Sequence, residues 1–196
     1  MSSAIVPRWE WRTFGRSFGS ADEKFGALSP ERVQESDELY VLSKRADENV
    51  KVRDELLDVK QLEHVNEDGL EQWVPVMKEP FPIAASLAAS VLERLAVSVP
   101  ALQRDAYTLD EFIGELVLPR ADLLAVDVHK RRQRYTIGGC MTELTDLRTD
   151  AGDTRTVAVE AEDPDRVIAT VRELGLSSLP NTSFPRGLKA LALGAQ

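Results

Sequence analysis

The sequence has little of what marks secreted, zinc-binding or membrane-spanning proteins. Its one cysteine, Cys140, excludes an internal disulfide and is typical of a reducing compartment. Its two histidines, His64 and His129, lack the spacing of a zinc site. No apolar run approaches the roughly 20 residues that a transmembrane helix needs, and no early run has the pattern of a signal peptide. We therefore expect a cytoplasmic protein with no membrane partner.

Positive charge is also in deficit, and this bears on the partners of the protein. With 24 lysines and arginines against 33 aspartates and glutamates, the formal net charge is −9. Nucleic acids are bound through broad positive surfaces, so a nucleic-acid partner is not expected and any basic site must be local. The chain has 196 residues and is 43% hydrophobic, so it can bury a sizeable core. No segment has the composition of a linker, and we expect a single domain over residues 1–196.

Two segments in the second half of the sequence alternate as β-strands do and carry opposite charge. In HKRRQRY, a period of two places Lys130, Arg132 and Arg134 on one face. In VAVEAE, Glu160 and Glu162 share a face opposite the apolar residues. A glycine pair after the first segment predicts a hairpin turn, so we expect consecutive antiparallel strands here.

Earlier segments carry the same kinds of side chain on strands. In PRWEWRTFG, Arg8, Glu10 and Arg12 share a face opposite two tryptophans. In GLEQWVPVMK, Glu71 and Trp73 share a face, and the proline that follows indicates an edge or a bulge. Further strand-borne polar residues are Tyr40 in SDELYVLS and the cations Lys51, Arg53 and Lys60 of a predicted hairpin.

Five segments predict helices that would cover the apolar faces of these strands. Apolar spacing over 84–97 predicts an amphipathic helix, and Thr108 begins a capping box. Asp163 and a following proline open another helix, PRGLKALAL closes the chain, and Ser29-Pro30-Glu31 has the form of a short helix start. With charged strand faces turned toward each other, the predicted fold is α+β, an eight-stranded antiparallel β tunnel that is a closed barrel with a polar interior.

Cations and carboxylates that line one tunnel would suit a phosphate chain and its metal. Arginine and lysine match phosphate oxygens, whereas Mg²⁺ and Mn²⁺ prefer carboxylate oxygens and neutralise a transferring phosphoryl group. The candidate phosphate-binding residues are Arg12, Lys51, Arg53, Lys130, Arg132 and Arg134. The candidate metal ligands are Glu10, Glu71, Asp146, Glu160 and Glu162, with Glu143 near them in sequence. The alternative is that these charged faces are simply exposed to solvent, as most charged strand faces are.

The order of these segments resembles the CYTH superfamily, the triphosphate tunnel metalloenzymes, which include class IV adenylyl cyclases, thiamine triphosphatases and inorganic triphosphatases. The strand with Glu10 and Arg12 is similar to the family's amino-terminal Glu-x-Glu-x-Lys strand. VKVR and the DVK around Lys60 are similar to its paired basic strands, HKRRQRY to its Lys-x-Arg strand, and VEAE to its late Glu-x-Glu. SDELY and SFPRGLKAL are similar to further family segments, so the resemblance covers most of the chain.

The resemblance implies a fold, a ligand and residue roles. It implies an antiparallel tunnel whose basic walls bind triphosphate and whose acidic residues hold Mg²⁺ or Mn²⁺ as the cofactor. Phosphate would be bound by Arg12, Lys51, Arg53, Lys130 and Arg132, and metal by Glu10, Glu160 and Glu162. Lys60 and Tyr40 would assist the attacking water. We therefore predict a metal-dependent hydrolase of inorganic triphosphate, thiamine triphosphate or a nucleoside triphosphate.

Two departures from the family pattern keep other functions open. Arg8 stands where the family has its first glutamate, and Trp73 stands where a second acid after Glu71 would suit a metal. Because fewer carboxylates bind a metal less tightly, a non-catalytic polyphosphate- or nucleotide-binding module is an alternative. A class IV adenylyl cyclase and a small barrel that binds single-stranded RNA are further alternatives. The oligomeric state is open, with a homodimer as one option.

Overall fold

The computed structural model describes residues 6–194. The strands are β1 (Trp9–Gly15), β2 (Arg32–Ser43), β3 (Asn49–Arg53), β4 (Leu56–Val65), β5 (Glu71–Pro80), β6 (Ile83–Ala84), β7 (Ala106–Tyr107), β8 (Leu123–Ile137), β9 (Cys140–Thr149) and β10 (Thr154–Ala161). The helices are α1 (Ser20–Ala27), α2 (Ala85–Arg94), α3 (Leu109–Glu111), α4 (Pro164–Glu173) and α5 (Phe184–Ala192). α3 continues into a π-helical turn over Phe112–Val117.

Eight of these strands form one antiparallel sheet that closes into a barrel, in the order β1-β10-β9-β8-β2-β3-β4-β5. The predicted eight-stranded closed barrel with helices outside is therefore confirmed. β8 and β9 are joined by Gly138 and Gly139, whose φ angles of 60° and 76° suit the tight hairpin turn that matches strand twist. This turn pairs Ile137 with Cys140 and, further along, Arg134 with Glu143. The turn thus decides which side chains of β9 face the inside of the barrel.

Two apolar clusters pack the helices against the outer surface of the barrel. The first joins α2 and the π-helical turn to β2, β3 and β4 through residues that include Val50, Val52 and Leu92. The second joins α1 and α4 to β1, β9 and β10 and includes Trp11 and Val171. The apolar side chains of these strands point outward and are buried under the helices. Because side chains alternate along a strand, the charged residues between them point into the barrel.

A third apolar cluster lies inside the barrel and closes one of its ends. Phe184 and Leu188 of α5 pack there against inward-facing strand residues such as Leu42 and Leu147. Glu10 and Glu160 lie where β1 begins and β10 ends, which we call the open end because Glu160 there also lines a surface pocket with the exposed Arg8.

Most predicted helices are confirmed, including the capping box at Thr108. There the Glu111 backbone N–H donates to Thr108 Oγ1 at 3.3 Å, and the Thr108 N–H donates to Glu111 Oε2 at 2.9 Å. The predicted helix start at Ser29-Pro30-Glu31 is wrong, because the Glu31 N–H donates to the Arg134 carbonyl at 2.8 Å and leads the chain into β2. None of the helices over residues 6–194 is long and apolar enough to span a membrane.

Candidate functional site

The inward-facing polar side chains line a cavity of about 190 Å³, which we call the tunnel. Its lining comes from all eight barrel strands and from the start of α5. The lining residues are Glu10, Arg12, Tyr40, Asn49, Lys51, Arg53, Lys60, Trp73, Lys130, Arg132, Arg134, Glu143, Glu160, Phe184 and Pro185. A larger cavity of about 510 Å³ is lined by outer-face residues of β2 and β8 such as Asp37 and His129, and it also borders Glu38 and Arg53. The tunnel is where cations and carboxylates converge, so we take it as the candidate site.

All six predicted phosphate-binding residues line the tunnel, and Lys60 adds a seventh cation. Arg12 Nε lies 2.7 Å from Glu10 Oε1, and Arg12 is almost fully buried. Burial lowers the pKa of Arg12, but the nearby carboxylates, led by Glu10, outweigh burial and raise the pKa above its ordinary value. Lys60 faces Asn49 across the β3–β4 ladder. Among residues 6–194, no carboxylate lies within 4.0 Å of the Lys60 ammonium group.

Glu38 lies among four of these cations, and it is the site residue that the sequence reasoning missed. Its side chain is 0% exposed, and its Oε2 lies 2.9 Å from Lys130 Nζ and 3.7 Å from Lys51 Nζ. Its Oε1 accepts a hydrogen bond from Arg132 and lies 3.7 Å from Arg53 Nη1. Burial raises the pKa of Glu38, but the surrounding cations outweigh burial and hold the pKa well below its usual range. Glu38 is therefore a buried anion.

The inner wall of the tunnel combines a tyrosine hydroxyl with an aromatic ring of α5. Lys130 Nζ donates to the Tyr40 hydroxyl at 2.6 Å, and this hydroxyl donates to Glu38 Oε2 at 2.8 Å. Tyr40 stacks on Phe184 at 4.9 Å between ring centroids, and Lys130 Nζ lies 3.7 Å from the Phe184 ring centroid. Burial and the Glu38 carboxylate raise the pKa of Tyr40 well above its ordinary value. Tyr40 thus stays protonated near neutral pH and holds Lys130 in place.

Two of the predicted metal ligands, Glu10 and Glu160, face each other across the β1–β10 ladder. Among residues 6–194, no hydrogen bond or ion pair engages the Glu160 carboxylate. Burial, and next the neighbouring Glu10 charge, raise the pKa of Glu160 to about 7. A carboxylate that resists ionisation beside a second carboxylate marks a position where a cation would be stabilised.

The other acid of the tunnel is Glu143, whereas the predicted ligand Asp146 lies on the outer face of β9. Glu143 accepts a hydrogen bond from Thr145 Oγ1 at 2.9 Å and lies 3.5 Å from Arg134 Nε. Asp146 instead pairs with Arg131 at 3.5 Å and Arg155 at 3.3 Å, outside the barrel. The prediction that Asp146 faces the tunnel is therefore wrong, and Glu143 lies there instead.

Two further predicted metal ligands, Glu71 and Glu162, do not line the tunnel, although Glu71 pairs with Glu10 across the β1–β5 ladder. Glu71 is buried, accepts a hydrogen bond from Trp73 Nε1 at 2.9 Å and forms an ion pair with Arg186 of α5. Glu162 lies beyond the end of β10 and is exposed. Within residues 6–194, no three or more histidine, cysteine or acidic side chains are grouped so as to hold a metal ion by themselves.

Arg8, which replaces the family's first glutamate, lies beside the tunnel and not in its lining. It is exposed and lies in a neighbouring surface pocket that shares Glu160 and also holds Glu162 and Arg166. Its Nη1 approaches the Met141 sulfur at 3.6 Å. Arg8 therefore places a cation beside Glu160, where the resemblance implies a carboxylate.

Structural comparison finds solved structures that are similar to this chain. A Hippeastrum protein assigned as an adenylyl cyclase with a dominant triphosphatase activity matches with a TM-score of 0.50 at 13% identity, over 96% of this chain and 97% of that one. A Bacillus halodurans protein assigned as an adenylate cyclase matches with a TM-score of 0.49 at 10% identity, over 91% and 95% of the two chains. A Pyrococcus horikoshii protein matches with a TM-score of 0.46 at 16% identity, over 91% and 98%.

The chain has the CYTH tunnel fold. No protein-family model matches it, and no curated protein matches it in sequence. At these identities the likeness shows the CYTH fold and not an activity. The fold predicted from the order of charged strands is thus confirmed, and the roles of individual tunnel residues remain proposals.

Proposed function

We propose that the tunnel binds the phosphate chain of a triphosphate compound and, with a divalent metal ion, hydrolyses it. The observation that supports this most is the convergence of seven cations from four strands in one cavity, beside the facing carboxylates of Glu10 and Glu160. Charge-assisted hydrogen bonds from arginine and lysine are the usual means of holding phosphate. Similar proteins include one with a dominant triphosphatase activity, which agrees with this choice.

The donor set fits Mg²⁺ or Mn²⁺ when a phosphate chain is also bound. Mg²⁺ is commonly held by one or two carboxylates, with substrate phosphates and water completing its coordination. Glu10 and Glu160 supply two such carboxylates, and the raised pKa of Glu160 falls once a cation offsets the Glu10 charge. The metal would neutralise the charge that develops on the phosphoryl group. We expect it to bind weakly without phosphate.

The protein side chains have separate tasks in this proposal. Arg12, Lys60 and Arg134 bind phosphate oxygens along the tunnel. Lys60, whose ammonium group has no carboxylate within 4.0 Å among residues 6–194, would also orient the attacking water. Tyr40 acts as a positioning residue for Lys130, because its protonated hydroxyl cannot take a proton from water near neutral pH.

The test is phosphate release from inorganic triphosphate, thiamine triphosphate and ATP, each with Mg²⁺ or Mn²⁺. We expect turnover of at least one compound, and loss of at least about a hundredfold in metal-dependent rate in Glu160→Gln, the range seen when charge stabilisation of a transition state is removed. Glu173→Gln, the same change on the outer surface of α4, is the matched control and should keep the wild-type rate.

A non-catalytic phosphate-chain binder is the second candidate, and the position of Arg8 favours it. Arg8 stands where the family resemblance implies a glutamate, and Glu71, the other cross-strand partner of Glu10, is already engaged by Trp73 and Arg186. Tight tripolyphosphate binding without turnover of any compound would establish this candidate. Failure to bind any of the compounds, with or without metal, would reject both candidates.

A further inference from the structure

Glu38 occupies the position in which a phosphate group would receive the most positive charge. Its two oxygens contact cations of both β3 and β8, at distances that include 2.9 Å to Lys130 and 3.7 Å to Lys51. The carboxylate is fully enclosed, with a side-chain exposure of 0%. A buried carboxylate with four cationic neighbours presents those cations with the same kind of oxygen acceptor that a phosphate group offers.

A phosphate oxygen and the Glu38 carboxylate compete for the same N–H donors. Lys130 illustrates this, because its ammonium group already contacts Glu38, the Tyr40 hydroxyl and the Phe184 ring. An incoming phosphate that took these donors would leave Glu38 buried without partners, which is costly. As long as Glu38 stays charged and in place, a phosphate group does not bind its four cationic partners. We call these partners the inner cations: Lys51, Arg53, Lys130 and Arg132.

The remaining cations of the tunnel are free of Glu38. Within residues 6–194, Arg12, Lys60 and Arg134 have no oxygen of Glu38 within 4.0 Å. Arg12 pairs with Glu10 at 2.7 Å, and Arg134 lies 3.5 Å from Glu143, so both are also linked to the acids near the open end. The tunnel is small, with a volume of about 190 Å³, which limits how much of a phosphate chain can enter.

We propose that Glu38 is a specificity-determining residue that occupies the inner anion position, so that the tunnel engages only two phosphates of a chain. This inference rests on the proposed binding of phosphate chains. The third phosphate of a triphosphate, and any organic group on it, then lie toward the open end near Glu10 and Glu160. Pyrophosphate and tripolyphosphate accordingly bind the wild-type protein with similar affinity, because the third phosphate gains no inner cation.

The test compares affinities for pyrophosphate and tripolyphosphate by calorimetry in metal-free, phosphate-free buffer. In Glu38→Gln, the ratio of tripolyphosphate affinity to pyrophosphate affinity should rise at least about tenfold, since the inner cations lose their carboxylate and one unit charge a few ångströms away has an effect of this order. Glu35→Gln makes the same change on the same strand but on the outer face, where Glu35 pairs with Arg131 at 3.9 Å. This control should keep the wild-type ratio.

Glu38→Gln leaves four cations without their anion and can fail to fold, so a second variant is needed. Glu38→Gln combined with Lys130→Met removes one charge of each sign and keeps the cluster balanced. It leaves Lys51, Arg53 and Arg132 for the third phosphate, so its affinity ratio should also exceed that of the wild type.

The outcomes separate this inference from the function on which it rests. A raised ratio in whichever Glu38 variant folds, with no rise in Glu35→Gln, supports the inference. An unchanged ratio in the Glu38 variants, or an equal rise in Glu35→Gln, overturns it while wild-type binding keeps the proposed function intact. Absence of binding in the wild type and in every variant overturns both. If neither Glu38 variant folds even with tripolyphosphate present, the inference is overturned as well, because the ligand should then replace the missing anion.

Discussion

Two glutamates of one tunnel have opposite pKa shifts because their neighbours differ. Glu38 is surrounded by lysines and arginines, which outweigh burial and keep its pKa low. Glu160 faces Glu10 across a strand pair, so burial and a like charge act in the same direction and raise its pKa to about 7. At the residue scale, the tunnel is thus divided into a part that favours anions and a part that favours cations.

The Glu160 shift predicts how stability depends on pH without ligand. The folded-state pKa of about 7 lies above the ordinary value of 4.5, so the folded protein holds the Glu160 proton more tightly than the unfolded chain. This contribution to stability is fully present below about pH 4.5 and is lost as the pH rises to about 7. The free energy of unfolding should fall over this window with a Glu160 contribution of up to about 1.4 kcal/mol per pH unit.

Urea unfolding of the wild type and Glu160→Gln between pH 5 and 8 checks this prediction. Glutamine cannot titrate, so the free energy of unfolding of the wild type should fall relative to that of Glu160→Gln from pH 5 to 7. Above pH 7 the difference between the two free energies should be constant. Glu173→Gln on the outer surface of α4 should follow the wild type at every pH. Parallel curves for the wild type and Glu160→Gln would contradict the raised pKa.

The residue-scale features that the sequence predicts are those set by strand alternation alone. The period of two places Lys130, Arg132 and Arg134 on one face, and all three line the tunnel. The choice between Glu143 and Asp146 depends instead on the register of the hairpin, which the two-residue turn fixes by pairing Arg134 with Glu143. The same alternation places Glu38 on the face of β2 that carries Tyr40, so the sequence could have predicted that Glu38 lies in the site.

At the scale of elements, the helices differ in how strongly the sequence predicts them. α4 begins with Asp163 as its cap and a proline, and its predicted start is confirmed. α1 has only Ala21 and Phe25 buried and a glycine within it, so its apolar pattern is too weak to predict a helix. The closure of the barrel by α5 could not be predicted either, because it depends on where the end of the chain meets the completed barrel.

The close packing of α5 predicts a large effect of a small substitution. A Cβ on Gly187 would lie 2.3 Å from the Phe14 ring, so Gly187→Ala should destabilise the protein by about 1–3 kcal/mol, as overpacking does, despite the better helix propensity of alanine. A Cβ on Gly26 of α1 meets no atom within 4 Å, so Gly26→Ala should be neutral or stabilising by up to about 1 kcal/mol.

Chemical denaturation of the two alanine variants measures this difference. The midpoint should fall for Gly187→Ala and not for Gly26→Ala, with an unchanged dependence on denaturant. Equal stabilisation of both variants would show that α5 does not pack tightly against Phe14.

At the scale of the whole molecule, the net charge conceals how the charges are arranged. The chain carries −9 overall, yet seven cations converge in its interior. Composition therefore argues against a broad basic surface but says nothing of a local basic cavity. The order of charged strands carries that information, because closing the barrel brings segments from both halves of the sequence to one cavity.

The barrel closes through its shortest strand pairing. Over residues 6–194, β1 and β5 pair at two positions, Trp9 with Gln72 and Glu10 with Glu71, whereas β2 and β8 pair at twelve. Beyond Glu10, the free edge of β1 bonds instead to the segment before α5, where the Arg12 N–H donates to Asn181 Oδ1 at 2.8 Å. We infer that local opening of the barrel is easiest at this seam.

A ligand that bridges the two sides of the seam should therefore slow its opening. Arg12 on β1 and Lys60 on β4 lie on opposite sides of β5 and would both contact a bound phosphate chain. At a tripolyphosphate concentration of about 100 times the dissociation constant, amide hydrogen exchange near Trp9 and Gln72 should slow by up to about a hundredfold if opening releases the ligand. Exchange in the β2–β8 ladder, which is already protected by its longer pairing, should change less. Equal slowing in the seam and in the outer helix α1 would indicate global stabilisation, and no slowing in the seam would mean that the ligand does not join β1 to β4.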